Sequence, residues 1–155
     1  MKLNKNIFGW LMYDFANSSF TTIIVTVIYS KYFVQSVVGQ QDIGAALWGR
    51  SVSISMLLVA LTAPIFGAIA DYSRAKKKFL FYTTYLTIIF TALLYFVRSG
   101  DIFKGMLFFI IANFGFNSAN VFYNALLPDI VNRKNLGKVS GWGWSIGYVG
   151  GLISL

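Results

Sequence analysis

Charged residues divide this chain into long apolar stretches. Residues 7–30 carry a single charge, Asp14, in 24 positions. Residues 51–70 carry none in 20, residues 79–97 none in 19, residues 105–128 none in 24, and residues 139–155 none in 17. A hydrocarbon core about 30 Å thick needs about 20 residues of helix to cross it. The pattern therefore predicts five transmembrane helices, over about residues 7–33, 45–70, 79–97, 105–127 and 139–155, the last truncated at the chain end. Helices that are apolar all round are buried either in lipid or in a very large core. A chain of 155 residues cannot build a core that hides five of them. The expected fold class is all-α, a polytopic membrane protein, with turns near residues 34–44, 71–78, 98–104 and 129–138 and no separate soluble domain.

Polar residues inside these stretches lie in stripes, and in lipid a polar side chain costs free energy unless it finds a partner or water. In the fourth stretch Asn113, Asn117, Asn120 and Asn124 step by four, three and four. That spacing keeps them on one helix face over about 16 Å. Such a row is read equally well as interhelical hydrogen bonding and as the wall of a hydrated solute path. In the first stretch Asp14, Asn17, Ser18 and Thr21 share a face within YDFANSSF. An ionisable group inside a span is a functional candidate by default, which makes Asp14 the proton-coupling candidate and Asn17 and Ser18 its companions on a solute path. The opposing reading is that Asp14, about two turns from the membrane boundary, reaches water or a basic residue. Ser51, Ser55 and Thr62 form a weaker stripe and are expected to bond their own backbone. Thr84, Thr87, Thr91 and Tyr95 are read as packing. In the fifth stretch Gly143, Gly147 and Gly151 make two overlapping GxxxG steps, which predict helix packing at close range without naming the partner helix.

Composition narrows the chemistry. Hydrophobic residues make up 57% and charged residues 12%, and Cys, His and Glu are all absent. Ordinary soluble domains are about 45–50% apolar and about 25% charged. Disulfide frameworks, Cys/His zinc sites, Ser-His-Asp triads and cysteine nucleophiles are excluded. The five aspartates are spread one per segment, so a membrane-embedded metalloenzyme is not expected, and neither is a cofactor or metal site. The formal charge of +8 first suggests nucleic acid, but its placement gives another account. With the N-terminus inside, nine of the thirteen basic residues (Lys2, Lys5, Arg74, Lys76, Lys77, Lys78, Arg133, Lys134 and Lys138) fall on the inner side. That bias predicts a cytoplasmic N-terminus, a cytoplasmic (inner) membrane location and contact with anionic lipid, with no nucleic-acid partner. The basic N-terminus followed by an apolar run resembles a signal peptide, but the run is too long, holds Asp14 and lacks a small-x-small cleavage site, so it is read as a retained span.

The turn after the second stretch reads GAIADYSRAKKK. Asp71 lies at a helix C-terminus, where its charge opposes the dipole, so it should have an outside partner. Here the chain resembles the major facilitator superfamily, whose loop between helices two and three reads Gly, three residues, Asp, then a basic-rich turn. Gly67, Asp71, Lys76 and Lys77 fall on matching positions, while Tyr72 replaces a usual basic residue and Arg74 a usual glycine. The stretches YDFANSSF, LLVALTAPIFGAIAD, FYNALLPDI and GKVSGWGWSIGYVGG resemble the vacuole-effluxer-like branch, bacterial relatives of the autophagy-associated vacuolar amino-acid effluxers. The resemblance covers nearly the whole chain.

It implies a secondary transporter of about twelve helices in two similar halves, working by alternating access. This chain would then be a partial N-terminal half, and its partners would be membrane lipid, a small-molecule solute and the missing C-terminal helices. Amino acids are the solute class implied. The resemblance also implies a gating latch of Gly67, Asp71, Arg74, Lys76 and Lys77, with Asp129 in the charge cluster at the end of helix four. The alternative expectation is a small membrane packing or assembly protein, with no transport activity of its own, that oligomerises through the glycine steps.

Overall fold

The computed structural model describes residues 4–72 and 75–155. Among these the chain forms helices and no strand. Helix α1 spans Lys5–Val38, α2 Gln41–Tyr72, α3 Lys76–Phe96 and α4 Ile102–Ile130. All four are long and apolar enough to cross a membrane. Helix α5, Leu136–Ile153, has 18 residues and follows a 3-10 turn at Arg133–Asn135. Its apolar character is diluted by six glycines. The protein is an all-α polytopic membrane protein. Lys2 and Arg74 lie outside the described residues.

The helices form two compact units, 1–29 with 125–155, and 30–124. In the second unit many large apolar side chains point away from the helix contacts. Leu57, Leu61 and Ile65 on α2, and Phe81, Tyr82, Ile88 and Ile89 on α3, are exposed. Ser51, Ser55, Asn113 and Ser118 are buried instead. Water would penalise this arrangement, and lipid favours it, because hydrocarbon tails supply no hydrophobic drive between helices and leave small residues to set close contact. Gly115 of α4 meets α3 so closely that a Cβ there would stand 2.8 Å from Thr87 Oγ1 and 3.0 Å from the Thr83 carbonyl. The Thr87 hydroxyl donates to Thr83 O at 3.1 Å and lies 3.3 Å from Ala112 O of α4. Aromatic rings fill the remaining gaps: Trp48 packs on Phe33 and Phe109, and Phe122 on Phe66 and Phe79.

Both tight turns of this unit need glycine. Gly39 ends α1 at φ +73° and Gly100 sits at φ +86°, in the left-handed region that glycine adopts without strain. The turns are tied together, with Gly100 N donating to Val37 O at 2.9 Å and the Tyr32 hydroxyl to Val97 O at 2.9 Å. Asp101 accepts from Lys104 at 2.9 Å and from the Arg98 amide at 3.2 Å. The Lys104 hydrogen bond, followed by the Arg98 amide, holds the Asp101 carboxyl below the usual aspartate range.

Helix α1 is wound in the wider π register over Phe20–Val27 and Phe33–Val38. The Thr26 hydroxyl follows that register, donating to Thr21 O five residues back at 2.9 Å.

At Gly44 a Cβ would lie 2.9 Å from the Val34 Cα and 3.0 Å from its carbonyl oxygen. Gly44→Ala must therefore move backbone, and we expect a loss of about 1–3 kcal/mol. At Gly49, five residues along the same helix, nothing lies within 4 Å of an added Cβ. Gly49→Ala should be neutral or stabilising by up to about 1 kcal/mol. Thermal unfolding of the two variants in detergent micelles checks the contrast.

Candidate functional site

The first unit is built on the pairing of α1 with α5. A Cβ on Gly143 would stand 2.6 Å from the Trp10 ring and 3.5 Å from Asp14 Oδ2. One on Gly147 would stand 2.8 Å from Ser18 Oγ and 3.0 Å from Asp14 Oδ2, and one on Gly151 2.6 Å from Thr22 Oγ1. One on Gly150 would overlap the Phe15 carbonyl. Successive glycines thus meet successive four-residue steps of α1 in the same chain order. The helices run parallel, ridge against ridge, with only hydrogen atoms between them on the α5 side.

Asp14, Ser18, Thr21 and Thr22 form one wall of a groove of about 400 Å³. Trp144, Gly147, Tyr148, Gly151 and Leu152 form the other. The α1 residues follow the 0, 4, 7, 8 spacing of one helix face. Asp14 is half-buried, and among the described residues it has no hydrogen-bond or ion-pair partner. The Thr22 hydroxyl is committed to Ser18 O at 3.1 Å. Asn17 does not line the groove. At an offset of three from Asp14 it falls on the flank opposite Thr22, and α5 sits on the Thr22 side.

The asparagine row belongs to the second unit and changes character along α4. Asn113 is buried, and its Nδ2 donates to Ser55 Oγ at 2.6 Å. Asn117 Nδ2 donates to Asn113 O at 2.8 Å and lies 3.2 Å from its Oδ1. Asn117 and Asn120 are half-buried and Asn124 is exposed. Ser51 and Thr62 bond backbone carbonyls one turn earlier, at 2.9 and 2.8 Å. Ser55 bonds Val52 O at 2.8 Å and also serves Asn113.

Of the loop residues, Gly67 and Lys76 are half-buried, and Asp71 and Lys77 are exposed. Helix α2 extends through Asp71 to Tyr72, and Lys76–Lys78 form the first turn of α3. Both helix ends thus carry charge of the sign their dipoles disfavour, so neither end explains its charges locally. Asp129 is exposed in the last turn of α4, beside a hollow of about 300 Å³ lined also by Asn4, Ile7, Asn132 and Asn135. Asp71 lies in the second unit and Asp129 in the first. Arg74 lies outside the described residues. Among those described, no three His, Cys, Asp or Glu side chains gather where they could hold a metal ion.

Sequence reasoning missed Trp144, Tyr148 and Thr22. The signal was present: Trp144, Tyr148 and Leu152 each follow a glycine of the GxxxG ladder, so they form a second ladder one position around the helix.

Gly150→Ala should separate α1 from α5 at the cost of at least about 1–3 kcal/mol, because a rigid backbone carbonyl rather than a mobile side chain is in the way. Gly141→Ala, with nothing within 4 Å of its Cβ, should leave stability unchanged. Thermal melting of both variants, followed by far-UV circular dichroism, separates the two outcomes.

Residues 45–138 match the protein family described as vacuole effluxer Atg22 like. Over 156 residues the chain is 33% identical to an uncharacterized MFS-type transporter, YxiO, of Bacillus subtilis strain 168, an alignment covering 98% of this chain and 36% of that protein. It is 34% identical over 137 residues to an uncharacterized protein of Aquifex aeolicus strain VF5, covering 86% of this chain and 34% of the relative. The chain spans about a third of the length of these curated relatives. No solved structure gives a significant match. The matched span, together with helices sorted apolar side outward, places this multi-pass membrane chain in the vacuole effluxer Atg22-like family.

Proposed function

We propose that this chain supplies part of the N-terminal half of a secondary transporter of the major facilitator type, which moves a small polar solute by alternating access. The observation that carries the reading is the α1–α5 groove: a carboxylate with no partner among the described residues, flanked by hydroxyls, within a membrane-spanning helix. An ionisable group inside a span is a functional candidate by default. The similarity to a protein named as an MFS-type transporter supports the same reading. Asp14 and Ser18 are the solute-path or proton-coupling residues. Asn117, Asn120 and Asn124, less buried than Asn113, are the members of their row that can face a hydrated path. Asp71, Lys76, Lys77 and Asp129 are the gating charges, and amino acids are the solute class the family suggests. Chemical catalysis is not part of this reading.

The rival reading, a packing module that oligomerises through its glycine steps, loses its surface: Gly143, Gly147 and Gly151 are already covered by α1 of the same chain.

The basic residues favour an N-terminus on the cytoplasmic side of the inner membrane. A cysteine replacing Lys104 should then be labelled by an impermeant maleimide added outside intact cells, and one replacing Lys77 should not. The reverse pattern would invert the topology.

Transport by the full-length protein in proteoliposomes tests the function. Asp14→Asn should reduce uptake or efflux by about tenfold or more, a loss of the size expected for one charged contact. Asn117→Ala should reduce it by a smaller factor. Unchanged transport of every solute tried in both variants removes these residues from the path.

A further inference from the structure

Helix α5 presents two adjacent ladders. Gly143, Gly147 and Gly151 admit α1, and one position on, Trp144, Tyr148 and Leu152 rise beside them and line the groove. Trp144 and Tyr148 are 69% and 63% exposed, with their rings 5.3 Å apart and nearly edge-on at 75°. Across the groove stand Asp14, Ser18 and Thr21. One wall is therefore aromatic and apolar, and the other carries hydroxyls and one carboxylate that has no partner among the described residues. No Lys or Arg is among the lining residues.

We propose that this groove binds the ammonium group of an organic amine, with Asp14 taking the charge and the Trp144–Tyr148 pair taking the body of the ligand. The proposal deepens the transporter reading and rests on it for the claim that the bound amine is the solute. The chemistry selects against the other ligand classes. An anion would face the carboxylate with no cation to offset it. A neutral polyol would hydrogen-bond the carboxylate but leave its charge without a counter-ion. A divalent ion needs several oxygen ligands and finds one carboxylate. A primary or quaternary ammonium fits both walls, because carboxylates pair with it directly and aromatic faces attract it through their quadrupole. The volume, about 400 Å³, lies in the range of small-molecule sites.

Gly147 fixes the geometry. Its missing Cβ would lie 3.0 Å from Asp14 Oδ2 and 2.8 Å from Ser18 Oγ, so the same glycine that allows the helices to meet keeps the carboxylate and the aromatic ladder on one groove.

The test uses the full-length protein in nanodiscs of phosphatidylglycerol, which brings no ammonium headgroup. Binding of n-heptylammonium and of N-butylacetamide, equal in non-hydrogen atoms but not in charge, is measured by isothermal titration calorimetry. The amine should bind about tenfold tighter or more, and Asp14→Asn should remove most of the difference. Trp144→Leu should weaken the amine about threefold and the amide by a smaller factor, because the rings hold the body of either ligand and attract the ammonium besides. Circular dichroism and melting temperature establish that each variant is folded. Gly141→Ala, which lies outside the groove and has open space around an added Cβ, provides a control variant that should retain the preference for the amine. Equal binding of amine and amide, or a preference that survives Asp14→Asn undiminished, overturns the proposal.

Repeating the titration with phosphatidylethanolamine in the disc separates two sources of ammonium. Unchanged affinity assigns the groove to a soluble amine, and competitive loss assigns it to the headgroup and overturns the solute assignment. A transport assay separates the proposal from the function it rests on. Transport of solutes lacking an amine, insensitive to Asp14→Asn, leaves a transporter and overturns the ammonium site. Amine binding without transport of any solute leaves the site and removes the transporter.

Discussion

Close approach of one helix backbone to another is the constraint on which both units depend. In water, helices associate to hide apolar surface. In a bilayer the surroundings are as apolar as leucine, so association must come from van der Waals contact and from hydrogen bonds that lipid cannot offer. Both require short distances. The chain reaches them by leaving Cβ atoms out where helices meet: Gly115 against Thr83 and Thr87, Gly44 against Val34, and the Gly143–Gly151 ladder against α1. Other glycines of the same helices, Gly49 and Gly141, have open space around them. The distinction lies in position, since the residue type is the same.

Polar groups then follow the glycines inward. The hydroxyls of Ser51, Thr62 and Thr83 turn back onto carbonyls of their own helix, which satisfies them without holding any neighbour. Ser55 and Thr87 reach further, to Asn113 and toward Ala112 of α4. Such interhelical bonds average about 0.6 kcal/mol in membranes, so none of them alone holds the unit together. Their effect is on register: a helix that slid by one residue would bury Asn113 without Ser55. This argues that Asn113 is structural, whatever its neighbours Asn117, Asn120 and Asn124 do. Exposure thus divides the asparagine row along its length, from buried Asn113 through half-buried Asn117 and Asn120 to exposed Asn124.

How far the sequence could be read depends on whether an answer was local. The all-α membrane class was legible, because charge placement and stretch length need no tertiary information. The four-residue spacing of the glycines was legible as packing, but its partner was not, since the steps of α1 that receive it begin with Trp10 and Asp14 and only Ser18 and Thr22 make a small-residue step. That missing fact propagated. Without knowing on which side of Asp14 the fifth helix lies, Asn17 and Thr22 are equally good neighbours of the carboxylate. Once α5 is placed, Thr22 is on the groove and Asn17 on the far flank. The aromatic ladder was hidden for the same reason: Trp144 and Tyr148 look lipid-facing until the glycine beside each is seen to face another helix. The π winding over Phe20–Val27 has no clear mark in the apolar run that forms it.

Asp14 is where these constraints meet. Three states are open to a carboxylate in a span: paired with a protein cation, neutral or hydrated, or bound to something that arrives. Among the described residues the first is not used. The groove leaves room for the other two, and both require that the carboxylate stay at the opening rather than turn away into the helix contact. Gly147 enforces this, because the space a side chain would fill there is already occupied by Asp14 Oδ2 and Ser18 Oγ. Packing and chemistry are therefore not separable at this position. The close approach that holds α1 to α5 is also what sets a carboxylate, with no partner among the described residues, opposite two aromatic rings, so any motion of α5 relative to α1 would change the surroundings of that carboxylate.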